Sequence, residues 1–369
     1  MKIVIAPDSY KSCLSALKVA EAMQSGILSI YPEAQTLLLP LADGGEGTTE
    51  AIVSATCGKI IHVPAHDALM RNISAFYGLS QNQETAIIEV ASASGIEQIK
   101  SSELDILNAS SFGSGEVINE ALKNKSVKKL FIGLGGSATN DGGTGLLQAL
   151  GAEFFDRNGK KFANGIAGKD LININKVKID KLNPRLFECE IIVGCDVKNP
   201  LTGPNGASAV FGPQKGASTP ELVNLLDRGL ANFRGEAQEL AGDGAAGGIA
   251  FALRNYLNAK IISGAEALLN LTKFFEKIEN ADLVITGEGK SDSQTIHGKL
   301  CYVISESAHS KNVPTALVSG AIKDTELLKD YFDYLQIVTP SSMPLDEAIK
   351  KAPQLIKTAT AELIKSINF

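Results

Sequence analysis

Apolar residues recur along this chain in short unbroken runs, separated by stretches with helical spacing. Residues 2–6 make the first run and end in Pro7-Asp8-Ser9; residues 15–29 follow, with Leu17, Ala20, Met23 and Ile27 at helical intervals. Residues 36–40 are a second run, after which Ala42-Asp43-Gly44-Gly45-Glu46-Gly47-Thr48 turns into a helix near 49–54. From about residue 60 the pattern changes. The runs 60–63, 73–78 and 85–90 are joined by connections too short for a crossover helix, which predicts antiparallel pairing and a different domain. A helix is predicted over 114–123. The first style returns later, with strands over 282–286, 314–319 and 334–338 and helices over 300–310 and 345–367.

Two N-terminal and three C-terminal strands, apolar throughout, suit one parallel sheet covered by helices on both faces. A chain of 369 residues also has room for two domains. The expected architecture is α/β. Residues 1–62 plus 281–369 form a doubly wound, flavodoxin-like domain, and residues 63–280 form a mixed α/β domain inserted into it. In a flavodoxin-like order the switch point falls between the first and third strands, which would bring Asp8, Ser9 and Lys11 beside Gly287, Glu288 and Gly289.

The densest glycine stretch lies in the inserted part. Gly133 to Gly145 reads GLGGSATNDGGTG, preceded by the apolar run Leu130-Phe131-Ile132 and followed by Leu146-Leu147-Gln148-Ala149-Leu150. A strand, a glycine loop and a helix start can hold an anion, because glycine lets backbone N–H groups come close to phosphate oxygens. Gly135, Gly136, Ser137, Thr139 and Asn140 are the expected phosphate donors. Asp141 stands out, since a carboxylate beside a phosphate needs a cation between them or a proton-transfer role. The competing reading makes the loop a tight turn beneath a packed helix.

Composition narrows the partners. The net charge of −6 argues against nucleic acid or an acidic membrane surface as partner, and no apolar run approaches the ~20 residues of a membrane span. The first residues read as a strand, not as a signal peptide. Cys13, Cys57, Cys189, Cys195 and Cys301 form neither a disulfide framework nor a zinc spacing, so a reducing cytoplasm is the expected setting. His62 and His66 are four apart, but Pro64 between them spoils a helix and argues against a shared metal site.

Three chemistries compete for the loops. Gly133, Gly135 and Ala138 satisfy a dinucleotide fingerprint, but the loop runs on through Thr139 to Gly143 and leaves little helix before Gly151. Gly289-Lys290-Ser291 resembles the end of a Walker loop, but the leading glycine position holds Val284. The third is a kinase that assembles phosphate donors, cations and acids from several loops. Asp8, Asp43, Asp141, Asp196, Glu288 and Asp292 supply acids, and Lys11, Lys198, Lys215 and Lys290 supply cations. A phosphate-ligand sensor without turnover would keep the glycines and have little need of the acids.

Further blocks occur in order: APDSYKSCLSA at 6–16, LADGGEGT at 41–48, IEVASASG at 88–95, GLGGSATNDGG at 133–143, CDVKNPLTGPNGA at 195–207, FGPQKGA at 211–217, GDGAAGG at 242–248 and ADLVITGEGKSDSQT at 281–295. Together they resemble the bacterial glycerate kinases of the first type, over essentially the whole chain. The resemblance implies phosphorylation of D-glycerate by ATP with Mg²⁺, to the 2-phospho isomer in preference to the 3-phospho one. It also implies a flavodoxin-like domain with a restriction-enzyme-like insertion. The chain departs from the family at Lys290-Ser291 and at Ala68-Leu69-Met70-Arg71, where Pro-Leu-Gly-Arg is usual; both bear on local loop shape.

Individual roles come from chemistry. Glycerate brings a carboxylate and two hydroxyls, so Lys11, Ser12 and Arg71 are candidates to hold it, Arg71 having an equally natural structural role. Asp43 and Gly44 join them as substrate-binding candidates. Asp196, at a strand end before a rigid Asn-Pro turn, is the expected general base, with Asp8 and Lys11 the other catalytic candidates. Lys215 is the expected cation on the nucleotide phosphates. Asp43 and Glu288 are candidates for Mg²⁺ through water, which suits a hard ion that keeps much of its hydration.

Overall fold

A computed structural model describes residues 1–10, 13–41, 48–367 and 369. Eleven strands build its two larger sheets: β1 Lys2–Ile5, β2 Gln35–Leu38, β3 Lys59–His66, β4 Asn72–Leu79, β5 Thr85–Glu89, β6 Lys129–Gly133, β7 Glu190–Gly194, β8 Lys260–Ile262, β9 Leu283–Thr286, β10 Thr315–Ser319 and β11 Tyr334–Ile337. The chain divides into two compact units. One comprises Met1–Asp43, Glu50–Cys57 and Ala265–Phe369; the other comprises Gly44–Thr49 and Gly58–Gly264.

The first unit is built on the five-stranded sheet, in the order β11-β10-β9-β1-β2, with every pair parallel. Its central strands carry unbroken apolar runs because helices cover both faces: Ile3, Val4 and Ile5, like Leu283, Val284 and Ile285, have no exposed surface. Helix Ala16–Ile30 buries Val19, Met23 and Ile27 against Ile356 and Leu363 of the closing helix Leu345–Ser366.

The second unit is built on the six-stranded sheet, in the order β8-β7-β6-β5-β4-β3. Strands β3, β4 and β5 are antiparallel neighbours, as their short connections predict; β5 to β8 run parallel. Pro64, which argues against a helix, lies within edge strand β3, where a missing N–H is tolerated. Leu130 and Ile132 of β6 enter a core with Val117, Leu146, Phe154 and Phe251.

The expected boundaries at 62/63 and 280/281 do not coincide with this division. A cut after His62 would sever β3, which pairs with β4 along its whole length from Lys59 to His66. Helix Phe274–Lys277 belongs with the first unit, where Lys277 Nζ donates to the Ala55 carbonyl at 2.9 Å. Both ends differ from this division for one reason: strand pairing and helix docking are long-range, and neither leaves a local mark in the pattern.

Candidate active site

In the second unit, the parallel strands align their C-terminal ends. Glu89 of β5 lies level with Gly133 of β6, and Gly133 with Gly194 of β7. The glycine loop therefore leaves the sheet beside the segment carrying Asp196. The loop's two halves have different surroundings. Gly135 is half-buried and Gly136 exposed, and Gly136 takes φ +70°, a conformation that glycine adopts without strain.

The second half of the loop turns inward. Thr139, Asn140 and Asp141 have no exposed surface. Asn140 Nδ2 donates to Ser208 Oγ at 2.9 Å, while Asn140 Oδ1 and Thr139 Oγ1 have no partner among the described residues. Asp141 Oδ2 accepts from the Ser111 N–H at 2.8 Å, the Ser111 hydroxyl at 2.7 Å and the Gly145 N–H at 3.2 Å; Oδ1 accepts from the Gly143 N–H at 3.1 Å. Burial pushes its carboxyl up from the ordinary range, and the Ser111, Gly143 and Gly145 hydrogen bonds pull the other way. Asp141 thus answers the N–H groups at the start of helix Thr144–Ala149. Loop spacing alone could not say which half faces the core.

Lys215 is buried too. Its Nζ donates to Ser137 Oγ at 2.9 Å and to the Thr139 carbonyl at 2.8 Å, tying both halves of the loop to the turn Pro213–Lys215. Burial pushes its ammonium down to about 7, with the Asp141 charge acting in the opposite direction. Asp196 is exposed just beyond β7, and its Oδ1 accepts the Gly264 N–H at 2.8 Å. Glu89, which sequence reasoning passed over, is a buried carboxylate at the end of β5 that accepts the Thr49 N–H. Its one sequence signal is an acid closing an otherwise apolar strand, without a glycine to mark it.

Arg71 lies in the turn between β3 and β4. Its Nε donates to Asp67 Oδ2 at 2.5 Å and its Nη1 to Glu103 Oε2 at 2.8 Å. Asp67 Oδ1 also accepts the Leu69 and Arg71 N–H groups, at 2.8 and 2.9 Å. Arg71 therefore clasps a turn in which Met70 is held at φ +61°. His66 Nδ1 lies 2.9 Å from Glu116 Oε2.

In the first unit, the acids stand at the expected switch point. The Asp8 N–H donates to the Gly287 carbonyl at 2.8 Å, and Asp8 Oδ1 accepts the Ser9 N–H at 2.6 Å. Glu288 Oε1 accepts the Ser291 and Thr295 hydroxyls at 3.0 and 2.8 Å, and Lys299 Nζ lies 3.9 Å from its Oε2. Lys11, Ser12, Asp43 and Gly44 lie outside the described residues. Among the described residues, no three His, Cys, Asp or Glu side chains are placed to share a metal ion, and no helix is long and apolar enough to cross a membrane.

A glycerate kinase family model matches residues 3–368. The chain belongs to the glycerate kinase family. It is 40% identical to the glycerate kinase of Bacillus subtilis strain 168 and 41% identical to the glycerate 2-kinase of Escherichia coli K12; each comparison covers 100% of this chain and 98% of the relative. The crystal structure of a Salmonella typhimurium LT2 protein described as a glycerate kinase 2 superposes with a TM-score of 0.89 at 44% identity, covering 99% of this chain and 98% of that one. As a member of the family, the protein is a kinase that transfers phosphate to an alcohol group of glycerate, with ATP as the implied co-substrate. Its structure is mixed α/β with parallel sheets.

Proposed function

We propose that the protein converts D-glycerate and ATP to 2-phosphoglycerate and ADP. The observation that carries the choice of isomer is the end-to-end correspondence with an Escherichia coli relative named glycerate 2-kinase. In this reading the first unit is a flavodoxin-like domain. Its strand order supports that: numbered within the unit, the sheet runs 5-4-3-1-2. The second unit is read as its insertion. The setting is a reducing cytoplasm, with no nucleic-acid or membrane partner.

The roles follow from accessibility. Gly135 and Gly136 are the reachable part of the glycine loop and offer their N–H groups to phosphate oxygens, with Ser137 behind them and Lys215 holding the loop in shape. Asp196 takes the proton from the C2 hydroxyl. That oxygen forms a bond to the γ-phosphorus, the bond from that phosphorus to the β–γ bridging oxygen breaks, and ADP carries the released electron pair away. The Gly264 N–H fixes the orientation of the Asp196 carboxylate.

Asp8 and Glu288 suit Mg²⁺, an ion usually held by one or two carboxylates together with substrate phosphates. Bound there, the ion would neutralise charge on the transferring phosphoryl group. Asp43, with the substrate candidates Lys11, Ser12 and Gly44, completes the proposed set. Arg71 is read as structural, since one ion pair holds its own turn and the other ties that turn to Glu103.

Phosphorus NMR of the products from D-glycerate and Mg·ATP tests the reading. A single 2-phosphoglycerate resonance is expected, with L-glycerate left untouched; 3-phosphoglycerate as the main product would overturn it.

A further inference from the structure

Four strands end the two larger sheets, and one differs from the rest. Strands β2, β8 and β11 have three or four residues, short enough to discourage pairing with another chain, whereas β3 has eight. Among the described residues no strand pairs with its outer side. Two hydrogen bonds fix which of its main-chain groups face that way. Just past β4, the Ser80 N–H donates to the Thr85 carbonyl at 3.0 Å, toward β5. Gly78 therefore faces β5 too, and its β3 partner Ile60 turns its N–H and carbonyl outward. Six residues on, the His66 N–H donates to Glu116 Oε2 at 2.9 Å, away from β4. The outward set is Ile60, His62, Pro64 and His66.

That set is covered unevenly. Helix Phe112–Leu122 closes the far end: Glu116 takes the His66 N–H, and Gly113 lies so near the His66 carbonyl that a Cβ would clash. Pro64 has no N–H to offer but keeps its carbonyl. Ile60 and His62 keep both groups. The side chains of Ile60, His62 and Pro64 are exposed on one face of the strand, Ile60 at 38%. None of the three carries a fixed charge, the usual guard of an edge strand. The opposite face is charged near its two ends. Lys59 is exposed at the start, and beside Ala65 and His66 opens a cleft of about 560 Å³ that holds Glu116 and Glu120. Lys123 already pairs with Glu120, whereas Glu116 meets no Lys or Arg among the described residues and accepts from the His66 ring and N–H.

We propose that β3 pairs antiparallel with β3 of a second copy of this chain, about a two-fold axis through His62. In this register each His62 exchanges both main-chain hydrogen bonds with its copy, and each Ile60 N–H donates to the Pro64 carbonyl opposite. The missing Pro64 N–H removes one bond from each half. Ile60 packs across the strands on Pro64, which gives two apolar pairs. Lys59 of each copy comes level with Ala65 of the other, on the cleft side and within reach of Glu116. The edge thus carries both halves of its own complement, a lysine at one end and an unpaired acid at the other. A parallel pair would set Lys59 beside Lys59 instead. Because the contact uses the same patch on both copies, it closes at two.

Sedimentation equilibrium of the full-length protein over a range of concentrations tests the pairing. A reversible monomer–dimer equilibrium is expected. His62→Glu sets two carboxylates together on the two-fold axis, and Lys59→Glu makes both end contacts repulsive. Both positions are exposed, so the fold is spared, and unchanged circular dichroism checks this. Each substitution should weaken the dimer at least roughly tenfold. Lys160→Glu makes the same change of charge at an exposed loop position of the same unit and should leave the equilibrium unaltered. A protein monomeric at every concentration, or a dimer indifferent to both β3 substitutions, would overturn the proposal. Equal weakening by Lys160→Glu would overturn it too, since net charge and not the β3 edge would then govern association.

Discussion

Lys215 shows how one buried residue ties pH to the candidate site. Its ordinary ammonium value lies far above the value of about 7 that burial imposes, so between those limits the unfolded chain binds a proton that the folded chain does not. Folded-state stability therefore rises with pH through that interval, and the full cost of burying the charge is present below pH 7. Replacement by Met removes the titration along with the two hydrogen bonds. The unfolding free energy of wild type relative to Lys215→Met, from denaturant titrations, should thus grow from pH 7 to pH 10, by up to roughly 1.4 kcal/mol per pH unit. A flat difference would show that the ammonium stays charged inside. The chemical step offers a second test. Asp196→Asn keeps the shape and removes the basicity, so kcat should fall by ~10²–10⁴-fold with KM for glycerate and ATP changed little. Near-normal turnover would pass the proton-accepting role to Asp8 or Glu89. At this scale legibility was uneven. Asp196 could be read as an acid ending a strand, whereas Thr139, Asn140 and Asp141 looked equally suited to a ligand and are in fact inside.

Among the elements, the helix pair Ala16–Ile30 and Leu345–Ser366 illustrates how patterning and packing divide the work. Both helices were legible from apolar spacing. Their closeness was not, because it depends on one small residue. A Cβ at Gly26 would come within 2.5 Å of the Lys357 carbonyl and 3.0 Å of Thr360 Cβ. Backbone cannot yield as a flexible side chain can, so Gly26→Ala should force the pair apart. A loss of about 1–3 kcal/mol in denaturant unfolding is expected, despite the gain in helix propensity. An unchanged or raised midpoint would mean that the helices slide without cost. Strands were legible for the same local reason as helices, and their limits agree closely: the expected run 282–286 is observed as Leu283–Thr286, and 314–319 as Thr315–Ser319. The clasp on the β3–β4 turn was not legible. Glu103 is thirty-two residues from Arg71, and no periodicity links them.

Over the whole molecule, two sheets of different style were readable because the styles obey different local rules. Continuous apolar runs separated by helices mark strands covered on both faces; short runs with tight connections mark antiparallel neighbours. The order of blocks along the chain was likewise enough for the family, which the full-length comparisons establish. Side-chain chemistry at fixed positions is a one-dimensional property, and it places glycines, acids and lysines in the loops. Packing then assigned their surroundings. It buried Lys215 against Ser137, turned Asp141 toward Ser111, set Glu89 level with Gly133 and gathered the ends of β1, β9, β10 and β11 around one cleft. The unit boundaries at Gly58 and Ala265 arose in the same way. Register, burial and the facing of a loop depend on contacts between residues far apart in the chain, and a local pattern carries no record of which distant partner will close them.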